Sequence, residues 1–157
     1  MNKFRVSKVT SFFLLILLIP LMSGCSQKEI DLDIGQVALE ISESDLFGED
    51  FFVVESNIIA QKYGIESDDI DIVGYASSGG LADELTLIDA KNDESAKDIY
   101  ELATEHISDN IEGYQSYKPD EVYKLEHAIV LREGKYVIVG VSSSYDDLET
   151  SIKSYLK

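Results

Sequence analysis

The pattern of apolar and polar positions changes period several times along the chain, and each change marks an element. Over residues 35–47 two periods overlap. Val37, Leu39 and Ile41 alternate as in a strand, while Ile34, Val37, Ala38 and Ile41 form one helical face. The acids and the lack of turn residues favour helix there. Glu49 and Asp50 interrupt, and the apolar run Phe51-Phe52-Val53-Val54 leads into a short helix expected over residues 54–62. Gly64, after Tyr63, suits the left-handed position that ends a helix. Residues 70–76 and 82–90 read as strands. In the second, Leu85 and Leu87 lie on one face, Thr86 and Ile88 on the other. The turn Ser77-Ser78-Gly79-Gly80 between them predicts an antiparallel hairpin.

The clearest helix runs over residues 94–117, where Ala96, Ile99, Ala103, Ile107, Ile111 and Tyr114 recur at spacings of three and four. Asn92 or Asp93 can cap its start. Lys118 is disfavoured in helical geometry because Pro119 follows it. Pro119 in turn suits the first position of a second short helix over residues 119–126, with Asp120 and Glu121 near its positive end. Residues 128–132 and 135–141 form a second hairpin with a tight turn at Glu133-Gly134. Tyr136-Val137-Ile138-Val139 is apolar on both faces, which predicts a covered, central strand. Ser144, with Asp147 as capping-box partner, opens a last helix whose buried stripe is Leu148, Ile152, Tyr155 and Leu156. The expected fold is α+β: a four-stranded antiparallel sheet from two hairpins, packed on one face against the long helix and the C-terminal helix.

The first residues follow another pattern. Lys3, Arg5 and Lys8 precede an apolar run that includes Phe12-Phe13-Leu14-Leu15-Ile16-Leu17-Leu18-Ile19, and no acid occurs before Cys25. The uncharged stretch from Val9 to Met22 is shorter than the ~20 residues that span a bilayer as a helix. A basic start, a short apolar centre and a small-residue exit describe an export signal. The exit, Met22-Ser23-Gly24-Cys25, resembles the lipobox of bacterial lipoproteins, with Met22 where Leu is usual. That resemblance implies cleavage between Gly24 and Cys25 and a diacylglycerol thioether on Cys25. Residues 1–24 are then a signal peptide, residues 25–34 a lipidated start and linker, and residues 35–157 one domain. The domain is expected on the extracytoplasmic face of the cell membrane. Two acyl chains give stable anchoring where one is marginal, since each buried CH₂ contributes about 0.8 kcal/mol.

Composition narrows the function classes. The chain has 157 residues, 13 Lys plus Arg and 30 Asp plus Glu, a formal net charge of −17. Nucleic acid is not an expected partner, because phosphate contacts need clustered cations. Anionic headgroups would repel such a surface, so the membrane is expected to hold the domain through its lipid alone. With 45% hydrophobic residues the chain is not a disordered acidic tail. One cysteine excludes an internal disulfide framework and a cysteine-based zinc site.

Four short pieces carry a family resemblance: Tyr63-Gly64-Ile65; Ala82-Asp83-Glu84-Leu85; Tyr117-Lys118-Pro119 with Tyr123, Leu125 and Glu126; and Gly134-Lys135-Tyr136-Val137. In order and spacing the chain resembles the domain-of-unknown-function 4358 family, small lipoproteins of mainly Gram-positive bacteria. The resemblance implies a fold and a location and transfers no activity or cofactor. The Ser77-Ser78-Gly79-Gly80 turn departs from it, being polar where relatives carry apolar residues.

Candidate chemistry is sparse. His106 and His127 are the only histidines, and no His-Glu-x-x-His pattern or nucleophile elbow occurs. Asp68, Asp69 and Asp71, with Glu66 nearby, are the one acidic group dense enough to suggest weak calcium binding. They lack the EF-hand order and its glycine, and a solvated strand entry explains them as well. Glu84 opens a strand beside the glycine turn. It reads either as a ligand or partner contact or, preferably, as a carboxylate accepting backbone N–H bonds at the turn. Tyr117 and Tyr123 gather with Tyr114 around Pro119, a candidate peptide or glycan groove that helix packing would equally explain. No cofactor is implied. The expected function is a non-enzymatic interaction or accessory domain, with an unknown envelope protein or polymer as a possible partner. The alternatives are a lipoprotein that binds a small ligand, peptide or cell-wall polymer and, behind it, an envelope hydrolase.

Overall fold

The computed structural model describes residues 30–66 and 70–157. Asp33 starts α1 (Ile34–Ser42), its side chain accepting from Gln36 N. Just before it, Leu32 N donates to Tyr136 Oη at 2.9 Å, so the entering segment is tied to the sheet. The remaining elements are β1 (Phe51–Val54), α2 (Ser56–Tyr63), β2 (Asp71–Ser77), β3 (Glu84–Asp89), α3 (Asp93–Tyr117), α4 (Val122–Glu126), β4 (Ile129–Glu133), β5 (Tyr136–Val141) and α5 (Tyr145–Tyr155). Pro119–Glu121 forms a 3₁₀ turn leading into α4. Asn92 caps α3 by accepting from Ser95 N, and Gly64 ends α2 at φ 69°, both as the sequence predicts.

The sheet has five strands, not four, in the antiparallel order β1-β2-β3-β5-β4. Both expected hairpins form, and β3 joins them by pairing with β5. The added strand is Phe51–Val54, whose last residue the sequence pattern places in a helix. β1 is only four residues long, and Phe52 and Val53, pointing to opposite faces, are both exposed. No period-2 burial pattern marks it. Its register against β2, Phe51 opposite Ser77 and Val54 opposite Gly74, is what makes it a strand.

The helices also differ from expectation. The long and C-terminal helices lie on opposite faces of the sheet. On one face α2, α3 and α4 pack Ile59, Tyr63, Ala96, Ile99, Ala103, Ile107 and Leu125 against Ile88, Val137, Val139 and Val141. On the other, α1 and α5 pack Val37, Ala38, Ile41, Leu148 and Ile152 against Leu85, Leu87, Tyr136 and Ile138. Every residue of β3 and β5 is buried, so both faces of this central pair need cover, and one helical layer could not supply it. The expected capping box at Ser144 does not form. Ser142 Oγ accepts from Ser144 N at 3.1 Å in its place and donates to Leu46 O, joining the start of α5 to the end of the α1 segment.

Each face carries one glycine where a helix approaches closely. A Cβ on Gly74 would lie 2.4 Å from Ile59 Cδ1 of α2, and one on Gly140 would lie 2.9 Å from Leu148 Cδ2 and 3.2 Å from Ile152 Cδ1 of α5. Gly140→Val would therefore push α5 off the sheet. It is expected to destabilise the protein by about 1–3 kcal/mol, the usual range for overpacking, read as a lower urea midpoint at unchanged slope.

Candidate functional site

The polar residues cluster at the end of the sheet where β2 turns into β3. Glu84 opens β3 opposite Ala76 and Val141, which places its side chain on the face covered by α2 and α3. It is buried. Tyr63, the last residue of α2, donates its hydroxyl to Glu84 Oε1 at 2.6 Å, and Thr86 Oγ1 donates to the same oxygen at 3.0 Å. His106 of α3 stacks on the Tyr63 ring, centroids 4.2 Å apart, and brings Nε2 to 3.4 Å from Glu84 Oε2. Asn110 Nδ2 lies 3.0 Å from the same ring nitrogen. Nε2 serves one of these at a time: bare, it accepts from Asn110; protonated, it donates to Glu84.

Burial alone would raise the Glu84 carboxyl. The His106 hydrogen bond, the Lys62 cation and the Tyr63 hydroxyl outweigh it and hold the group at about 2. Burial, and then the Glu84 charge, push the Tyr63 hydroxyl well up. The arrangement is a carboxylate kept ionised inside the protein by donors from two helices and its own strand. The side chains of Glu84 and His106 are only 9% and 7% exposed.

A second buried cluster clamps the β2–β3 loop. Lys124 Nζ of α4 lies 2.8 Å from Asp83 Oδ2 and 2.9 Å from Glu121 Oε2. Glu121 Oε2 also accepts from Ala82 N at 2.8 Å, and Tyr114 Oη donates to Leu81 O at 3.2 Å. Burial would lower the Lys124 ammonium, but its bonds to Asp83 and Glu121 raise it. Gly80, at φ 74°, lies under the Tyr117 ring, where an added Cβ would meet Tyr117 Oη at 2.6 Å.

These positions revise the sequence reading. Glu84 takes side-chain donors, and the carboxylate that accepts a backbone N–H at the turn is Glu121. Tyr117 and Tyr123 are 70% and 44% exposed, whereas Glu84 is buried. Tyr114 and Tyr117 meet edge to face at 6.0 Å, while Tyr123 contributes its carbonyl to His127 Nδ1 at 2.7 Å. His127 stacks on Tyr145 at 4.3 Å. Asp71 pairs with Lys91, whereas Asp68 and Asp69 lie outside the described residues, as do Gly24 and Cys25. Among the described residues no group of three or more His, Cys, Asp or Glu could hold a metal ion. No sequence pattern marks the clusters around Tyr63 and Lys124. The available signals were Tyr63 and Glu84 falling in two of the quoted pieces, and His106 lying three positions from Ala103 and four from Asn110.

One open cleft of about 760 Å³ lies away from both clusters, between α2 and the part of β2 that β1 leaves uncovered. Ser56, Asn57, Gln61, Ile65 and Ile72 are among its lining residues.

The fold and its buried clusters define a small α+β domain whose internal charges join helices to a sheet. The family described as Domain of unknown function (DUF4358) matches residues 34–142, and the chain belongs to that family. No curated protein and no solved structure matches the chain.

Two substitutions test the clusters. The Glu84 carboxyl sits below its unfolded value of ~4.3, so its contribution is complete above that pH and is lost as pH falls toward 2. Glu84→Gln is expected to lower the melting temperature at neutral pH and to flatten its decline between about pH 4.5 and 2 relative to the parent, measured by circular dichroism. Lys124→Met leaves Asp83 and Glu121 facing each other without a cation. It is expected to cost roughly 3 kcal/mol in a denaturant titration and to expose the β2–β3 loop to limited proteolysis.

Proposed function

We propose that this protein is an extracytoplasmic lipoprotein whose single domain serves as a non-enzymatic interaction or accessory module at the cell membrane. The observation that carries the reading is the placement of the only cysteine. Cys25 follows an apolar run and two small residues, and the folded domain begins at α1 nine positions later. Supporting it, the buried ionisable groups of the Glu84 and Lys124 clusters bond to one another and join elements of the fold. No helix among the described residues is long and apolar enough to cross a membrane.

Leu32 is bonded to Tyr136 at the end of the sheet opposite the β2–β3 loop, so an anchor at Cys25 would hold that end toward the bilayer. The β2–β3 loop, Tyr117 and the first residues of β1 would then face outward. The ligand-binding alternative has one observation in its favour, the cleft beside α2.

Cys25→Ser is expected to retain residues 1–24 and to lack the diacylglycerol mass, read by intact-protein mass spectrometry of the envelope fraction. A mature-mass protein that still partitions with detergent after the substitution would end the lipoprotein reading.

A further inference from the structure

The two edges of the sheet are treated differently. At the β4 edge the outer residues are charged: Arg132, held by Asp93, and Glu133. Charged side chains are a common way to blunt a strand edge. β1 has none of this. Phe51–Val54 contains no charge and no proline, and among the described residues no strand pairs on its outer side. Its position is fixed from within. The Phe51 ring stacks on Phe47 at 4.0 Å and on Tyr75 at 5.9 Å, while Phe52 and Val53 remain 51% and 64% exposed.

The ladder says which backbone groups are free. Ser78 N donates to Asp50 O, and the register continues through Phe52 opposite Ala76 and Val54 opposite Gly74. In an antiparallel ladder alternate residues bond to the same neighbour, so Asp50, Phe52 and Val54 face β2. Phe51 and Val53 direct their N–H and C=O groups outward. They offer two donors and two acceptors along an apolar edge.

The flanks choose the occupant. Glu49 and Asp50 precede the strand and Glu55 follows it. Asp50 and Glu55 form no ion pair among the described residues, and Glu55 makes no side-chain cap to α2. A second copy pairing antiparallel about Phe52, the register that matches Phe51 with Val53, would set Glu49 against Glu55 twice, which like charges oppose. An apolar segment with a cation at each end would meet opposite charges at both positions.

We propose that the free edge of β1 is a strand-addition site for an extended protein segment that is apolar in its centre and basic at both ends. The proposal deepens the interaction reading above and rests on it. The added strand bonds to Phe51 and Val53 through its main chain, packs side chains beside Phe52 and Val53, and places its terminal cations on Asp50 and Glu55.

The test titrates the full-length protein in detergent with acetyl-KVTVTK-amide, labelled for anisotropy, against acetyl-EVTVTE-amide. The basic peptide is expected to bind at least tenfold more tightly. Val53→Pro removes an outward donor and no bond to β2, and is expected to weaken binding at least tenfold with an unchanged circular dichroism spectrum. Asp50→Lys/Glu55→Lys should reverse the peptide preference, and it decides the matter if Val53→Pro does not fold. Equal binding of the two peptides, a folded Val53→Pro that still binds, or a concentration-dependent dimer abolished by Val53→Pro would each overturn the proposal. The anchor is read separately, from the mass of Cys25→Ser. A failed edge therefore leaves the lipoprotein result standing, and a failed anchor leaves the titration standing.

Discussion

The structure depends on covering a pair of central strands from both sides. β3 and β5 lie next to each other with every residue buried, and their side chains alternate between two separate cores. Helices must therefore stand on both faces. Once α3 covers one face with α2 and α4, the other is left to α1 and α5. The close contacts at Gly74 and Gly140 follow, because a helix can seat this near a sheet only where a side chain is missing.

Within that frame the buried charges act as fasteners. A carboxylate in an apolar layer is tolerated only with donors around it. Glu84 draws Tyr63 from the end of α2 and His106 from the middle of α3 to one strand position. Lys124 does the same for the β2–β3 loop, drawing together Asp83 and Glu121. Each cluster sets how a helix sits against the strand or loop beneath it, which apolar packing alone leaves more degenerate. The acidic surface is a separate matter, since most of the 30 acids lie outside these clusters and keep the exterior solvated.

The edges carry what the interior does not use. β4 is guarded by Arg132 and Glu133, while β1 presents apolar side chains and unused main-chain groups between acids. For a domain proposed to work by interaction, that edge holds main-chain groups which β2 leaves unused.

Elements whose stabilisation is local were legible in the amino-acid order. Asn92 and Gly64 bound their helices because capping is settled within a few residues. The recurrence from Ala96 to Tyr114 identified α3, and the two-faced apolar run at Tyr136 identified a covered strand. The quoted family pieces were legible for the same reason, as short runs in fixed order. Tertiary structure decided the rest. β1 has no helical or alternating signature and exists as a strand only through pairing with β2, twenty or more residues away. The division of the helices between two faces follows from β3 lying beside β5, a pairing that no local pattern encodes. Glu84 could be singled out from its neighbours. Its partners could not, because Tyr63 and His106 reach it only after two helices have docked on one face of the sheet, each some twenty residues distant along the chain.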